Sequence, residues 1–148
     1  MKKVSGILII SITFLLIGLL SGCNIAKEKG ETEAVVTEFY ENIKNREYEN
    51  SMSFYSDKFF EKVKKDEWKN SLELLNKKLG NLESYKLEGW KVNKQVGTGN
   101  SGTYYSLQYT VKYSKYSAIE NLTLFKPAGK EEIKILGHHI NSDGLLKE

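Results

Sequence analysis

Residues 102–114 read GTYYSLQYTVKYS. Tyr105, Leu107, Tyr109, Val111 and Tyr113 alternate with Tyr104, Ser106, Gln108, Thr110 and Lys112. A period of two, with the bulky set on one parity, predicts a half-buried β-strand. Downstream, Ala118 to Lys126 predicts another strand, Pro127-Ala128-Gly129 a turn, and Glu131 to Asn141 a fourth strand. Upstream, Leu82 to Gln95 predicts a strand in which Gly89 is a candidate bulge. Before Gly80 the period lengthens to that of a helix. Glu31 to Arg46 carries Val35, Val36, Phe39, Tyr40 and Ile43 on one face, and Glu47 to Tyr55 carries Tyr48, Met52 and Tyr55. Ser56 is placed to cap a turn bearing Phe59, Phe60 and Val63. Asp66 to Leu79 shows a stripe of Trp68, Leu72, Leu75 and Leu79, with Asp66 as N-cap and Gly80 as the stop. Helices first, then strands joined by short turns, predict an α+β fold. N-terminal helices would pack on a curved antiparallel sheet of about four strands.

The chain opens with Lys2 and Lys3, then the uncharged stretch Val4 to Leu20, then Ser21, Gly22 and Cys23. That is the layout of a secretory signal. Leu20-Ser21-Gly22-Cys23 resembles a bacterial lipobox. The resemblance implies cleavage between Gly22 and Cys23 and lipid on the Cys23 thiol. The expected division is a signal peptide over 1–22, lipidated Cys23 and a polar linker over 23–30, and one domain over 31–148. An uncleaved membrane helix is the competing reading, since the stretch is at the short end of what spans a bilayer. A free or intermolecularly paired thiol is a third. The first two place the domain outside the cytoplasm. The expected address is the bacterial cell membrane, with lipid on Cys23 as the membrane contact.

The chain has 22 Lys and Arg against 19 Asp and Glu. Loss of Lys2 and Lys3 with the signal leaves 20 against 19. A domain so nearly neutral is not expected to bind nucleic acid through bulk charge. Arg46 is the only arginine. Bidentate anion clamps favour arginine, so anion recognition is not the first expectation. With Cys23 lipidated no thiol remains, which excludes disulfides, thiol catalysis and thiolate metal sites in the domain. No cofactor and no metal are expected.

The order of helices and long strands resembles the nuclear-transport-factor-two-like, or cystatin-like, superfamily, and within it a group of secreted bacterial proteins of unknown function. The resembling residues are Tyr48 with Ser51-Met52-Ser53; Phe59-Phe60 with Val63; Glu67-Trp68 with Leu79-Gly80; Gly102 to Tyr105; Glu120 to Leu124; and Ile135 to Ile140. Such domains often carry a Trp and a Tyr in the last strand, where this chain has Ile135 and His138. The resemblance covers roughly Ala34 to Leu146. It implies a cone-shaped fold and no particular activity.

Some superfamily enzymes move a proton with an acid or histidine inside the cone, and the ketosteroid isomerase uses buried carboxyl groups in this way. By that analogy Glu120, His139 and Tyr109 or Tyr113 form the candidate pocket set. Glu120 shares its parity with Leu122 and Leu124, so it is either partnered or at a pocket edge. His138 and His139 are the only histidines, and neighbours on a regular strand face opposite ways. Nine tyrosines occur in the chain, and Tyr104 on the polar parity is the candidate partner-facing residue. Gly97 to Gly102 spells G-x-G-x-x-G but leads into a strand, so it reads as a hairpin loop and not a dinucleotide fingerprint. No catalytic residues are predicted. The expected function is a membrane-anchored ligand- or protein-binding module, its partner an envelope protein or a small ligand. An enzyme using the cone for acid/base chemistry, or a subunit of an envelope secretion or conjugation machine, are the alternatives. The oligomeric state is not legible.

Overall fold

The computed structural model describes residues 4–97 and 101–147, with backbone alone for 4–23. The readings that rest on Gly22 and Cys23 therefore lie outside the described side chains. Helix α1 is Val4–Lys44. Residues 24–30, expected as a linker, continue this helix. The reason is local: Ala26, Lys27, Glu28 and Lys29 favour helix, and Lys27–Glu31 and Lys29–Glu33 form i,i+4 pairs at 3.7 and 3.6 Å. Among the described residues no helix is long and apolar enough to cross a membrane. The chain forms two compact units, Met1–Glu33 and Ala34–Glu148.

In the second unit α1 ends at Lys44 and α2 (Tyr48–Ser51) follows, running into a short 3-10 turn at Met52–Phe54. Helix α3 (Asp57–Phe60) starts at Ser56, whose Oγ accepts from the Phe59 N–H at 3.2 Å. Helix α4 is Lys65–Leu79. Its N-cap is Lys64, with no side-chain cap, and Asp66 lies in the first turn beside Glu67. There both acids favour the positive end of the helix dipole. Gly80 stops the helix at φ 93°, a conformation that suits glycine.

The sheet runs β1 (Leu82–Gln95), β2 (Gly102–Tyr113), β3 (Ser117–Pro127) and β4 (Lys134–Asn141). Neighbours in sequence are neighbours in space, and every pairing is antiparallel. The alternation read in β2 holds: Tyr105, Leu107, Tyr109, Val111 and Tyr113 are all buried. They meet Val36, Phe39, Tyr40 and Ile43 from α1 and Leu72 and Leu79 from α4 in one core. This is an α+β fold in which helices cover one face of a curved sheet.

Besides a register shift at Glu83 near the start of β1, two bulges set which side chains face that core. In β1, Leu87 pairs with Tyr109 and Gly89 with Gln108, so Glu88 is the extra residue. In β4, Thr123 pairs with Gly137 but Leu124 with Ile135, so Leu136 is extra. The second bulge reverses the parity of everything after it. The edge of β4 is further tied down by Tyr55, which bridges to Ile135, and by the Ser56 N–H, which donates to the Ile135 carbonyl at 2.9 Å.

Candidate functional site

The inner face of β3 carries one carboxylate among apolar neighbours. Ala118, Glu120, Leu122 and Leu124 are all buried, and Glu120 is 1 % exposed. A buried carboxylate is costly unless its oxygens are occupied. Three side chains occupy them. The Tyr113 hydroxyl donates to Oε1 at 2.6 Å, the Tyr40 hydroxyl donates to Oε2 at 3.1 Å, and His138 Nε2 lies 2.9 Å from the same Oε2. The other ring nitrogen, His138 Nδ1, is 2.8 Å from the Tyr55 hydroxyl. The result is one buried chain of polar groups: Tyr55, His138, Glu120, then Tyr40 and Tyr113.

Each member arrives from a different element. Tyr40 comes from the inner face of α1, Tyr113 from the end of β2, Glu120 from β3 and His138 from β4. Tyr55 is brought over by its bridge to β4. Phe39 and Trp68 wall in the imidazole, their ring centroids each 5.7 Å from it and nearly edge-on. Burial first, and then the negative charge of Glu120, holds the Tyr40 and Tyr113 phenols well above their ordinary range. Burial likewise raises Tyr55. All three therefore stay protonated and serve as hydroxyl donors or acceptors, not as phenolates.

Of the residues expected to line a pocket, Glu120 and Tyr113 meet directly. Tyr109 stands opposite Glu120 across the β2–β3 ladder and packs its ring on Tyr40 and Tyr85 at 5.5 and 6.1 Å. His139 does not join Glu120: it is exposed and lines the outer cleft between α4 and β4, while its neighbour His138 turns inward, because the bulge at Leu136 shifts the alternation by one. Tyr40 and Tyr55 were legible as core residues but not as hydrogen-bond partners. Tyr104 is half-buried, its ring packed at a tilt against Phe125 with centroids 4.6 Å apart. Among the described residues no cluster of three His, Cys, Asp or Glu side chains is placed to hold a metal ion.

Among the described residues, aromatic and aliphatic side chains pack around Glu120, and several clefts lie toward the edges of the fold. A cleft of about 260 Å³ between α4 and β4 touches the outer side of His138 and is lined by His139, Ser71, Trp68, Leu72, Leu75 and Ile140. A groove of about 620 Å³ runs past α3 and the end of β3, with Phe60 and Phe125 on its walls. A polar pocket of about 350 Å³ lies where the ends of α1 and α4 meet the β2–β3 turn.

The architecture defines an α+β domain built around a buried carboxylate–histidine–tyrosine cluster. A family model described as "Protein of unknown function (DUF4019)" matches residues 35–137, most of the chain, and the chain belongs to that family. No curated protein and no solved structure matches it.

Proposed function

We propose that this protein is a lipid-anchored, extracytoplasmic binding module, and that the Glu120 cluster serves its fold and not a reaction. The observation that carries the reading is saturation of the cluster. Both Glu120 oxygens and both His138 nitrogens already have protein partners, and both side chains are 1 % exposed. An acid/base site has to offer a titratable group to a substrate in a cleft. Here Glu120 is turned inward, and His138 meets the α4–β4 cleft while both its ring nitrogens are held by protein partners. The order of helices and strands supports placing the fold with the nuclear-transport-factor-two-like domains. The charge pattern and lipobox of residues 1–23 support the anchor.

The two histidines make the binding reading testable on the native full-length chain. Diethyl pyrocarbonate is expected to label His139 readily and His138 only after unfolding, read by peptide mass. Comparable labelling of both in the folded protein would mean that the cluster opens to solvent, and would favour the enzyme reading. The anchor is tested by the mass of the N-terminal peptide from membranes. A lipid-modified peptide beginning at Cys23 is expected, and an unmodified peptide retaining Lys2 to Cys23 would overturn it.

A further inference from the structure

Arg46 is the only arginine in the chain, and its backbone is left-handed, at φ 62°. It stands just past α1, where its N–H donates to the Ile43 carbonyl at 3.0 Å and the Glu47 N–H reaches back to the Asn42 carbonyl at 2.8 Å. That pair of bonds is the Schellman ending, whose left-handed position favours glycine. Any residue with a Cβ is disfavoured there. Local helix chemistry therefore argues against arginine, and its side chain needs another reason.

The guanidinium points to one. Its Nη2 donates to Asn81 Oδ1 at 2.7 Å, at the rim of the 350 Å³ polar pocket. Lys77 and Lys115 also line that pocket, and Glu73 is its one acidic residue. Asn76, Asn81 and Ser114 supply neutral polar walls. The site is held rigidly for a surface feature. The Ser114 N–H donates to the Asn81 carbonyl at 2.8 Å, the Asn81 N–H donates to Ser114 Oγ at 3.0 Å, and the Lys115 N–H donates to the Leu79 carbonyl at 2.9 Å. Lys115 Nζ is fixed by the Lys77 carbonyl at 3.1 Å. The negative ends of α1 and α4 attract some of this positive charge. They do not require a planar, many-donor fork, and a lysine would serve them equally.

We propose that this pocket binds a small oxyanion, a carboxylate or a phosphate group, through the Arg46 fork with Lys77 and Lys115. Three cations against one acid give the excess charge, and the volume is within the usual range for small-molecule sites. The proposal rests on the binding-module reading and deepens it. The two fail separately: that one fails on His138 labelling, this one on Arg46.

The test is a thermal-shift titration of the full chain with inorganic phosphate and, separately, succinate, each against chloride at equal ionic strength. A saturable rise in Tm is expected for at least one oxyanion and not for chloride, and the stronger responder tells a phosphate ligand from a carboxylate ligand. Arg46→Gly suits the left-handed position, so the unliganded Tm should hold or rise while affinity falls at least tenfold. Arg46→Lys should keep the charge but lose several-fold in affinity. Lys77→Gln and Lys115→Gln should each weaken binding. Absence of a saturable shift with either oxyanion, or equal shifts in wild type and Arg46→Gly, would overturn the proposal. So would an Arg46→Gly protein with lower unliganded Tm and unchanged affinity, which would make Arg46 a helix cap only.

Discussion

Glu120 and His138 meet at 2.9 Å with each side chain 1 % exposed. The contact joins β3 to β4 inside the core, and the tyrosines on either side of it join α1, β2 and the segment after α2. One carboxylate thus ties five parts of the fold together. Apolar packing supplies most of the stability of such a domain but tolerates repacking. A polar cluster tolerates little, because each donor stripped of its partner keeps its full desolvation cost.

Glu120→Ala should be the most damaging single change in the cluster. It leaves two phenol hydroxyls and an imidazole N–H facing a void. The expected loss is about 3–5 kcal/mol, the cost of removing one partner from a buried ionic group. Glu120→Gln keeps the shape but turns one acceptor into a donor, and should cost about 1–3 kcal/mol. Urea unfolding followed by circular dichroism measures both. A loss under about 1 kcal/mol for Glu120→Ala would show that the cluster contributes little.

Tyr113→Phe should cost more than Tyr40→Phe. Both delete one hydroxyl donor to the carboxylate, but the Tyr113 bond, on Oε1, is the shorter at 2.6 Å. The Tyr40 bond is 3.1 Å and shares Oε2 with His138. Bonds to a charged group are worth about 1.5–3 kcal/mol, and the two variants should fall toward opposite ends of that range. Parallel urea melts give the order directly.

Alkaline pH should destabilise the protein through the same tyrosines. Their folded-state pKa values lie above the unfolded value of 10.0. Above that pH the unfolded chain gives up phenolic protons that the folded chain retains. The folded state then binds more protons, so stability falls as pH rises. The contribution is fully present below the unfolded pKa and is lost as pH climbs toward the folded one. Urea midpoints measured from about pH 8 to about pH 11 should decline, and the decline should be shallower in Tyr113→Phe.

Gly144→Ala tests the packing of the chain's end. Gly144 is buried, and an added Cβ would lie 2.5 Å from the Tyr116 ring and 2.7 Å from Leu79. The overlap should cost about 1–3 kcal/mol. Gly97→Ala, with nothing within 4 Å of the new atom among the described residues, should stay within about 0.5 kcal/mol of wild type.

Much of this fold was legible because the hydrophobic periods are strong. The alternation in β2 named its five inward residues correctly, and the stripe on α1 named Phe39 and Tyr40 as core. Glu120, on a leucine parity, was legible as a carboxylate needing partners, and Tyr113 was among those named. The partner from β4 was misplaced for a physical reason. Parity counted along β4 from Ile135 turns Gly137 and His139 inward, and only the extra residue at Leu136 brings His138 in instead. Glycine within a strand is the local mark of a bulge: Gly89 carries it in β1, and Gly137 beside Leu136 is the same signal in β4. Tyr55 was hidden for another reason: a long-range bridge to Ile135, not its helical spacing, puts its hydroxyl on the imidazole. The Arg46 pocket was invisible because its lining comes from separate places in the chain.

The most direct test of a sealed Glu120 cluster is to observe its hydroxyl protons. Tyrosine hydroxyls open to water exchange too fast to appear in a proton spectrum. The Tyr113 and Tyr40 hydroxyls are instead bonded to a buried carboxylate and shielded from solvent. Proton NMR of the full chain in water near neutral pH should show two slowly exchanging hydroxyl resonances, one lost in Tyr113→Phe and the other in Tyr40→Phe. Absence of both from a well-folded sample would mean that water reaches Glu120, and would contradict a sealed cluster.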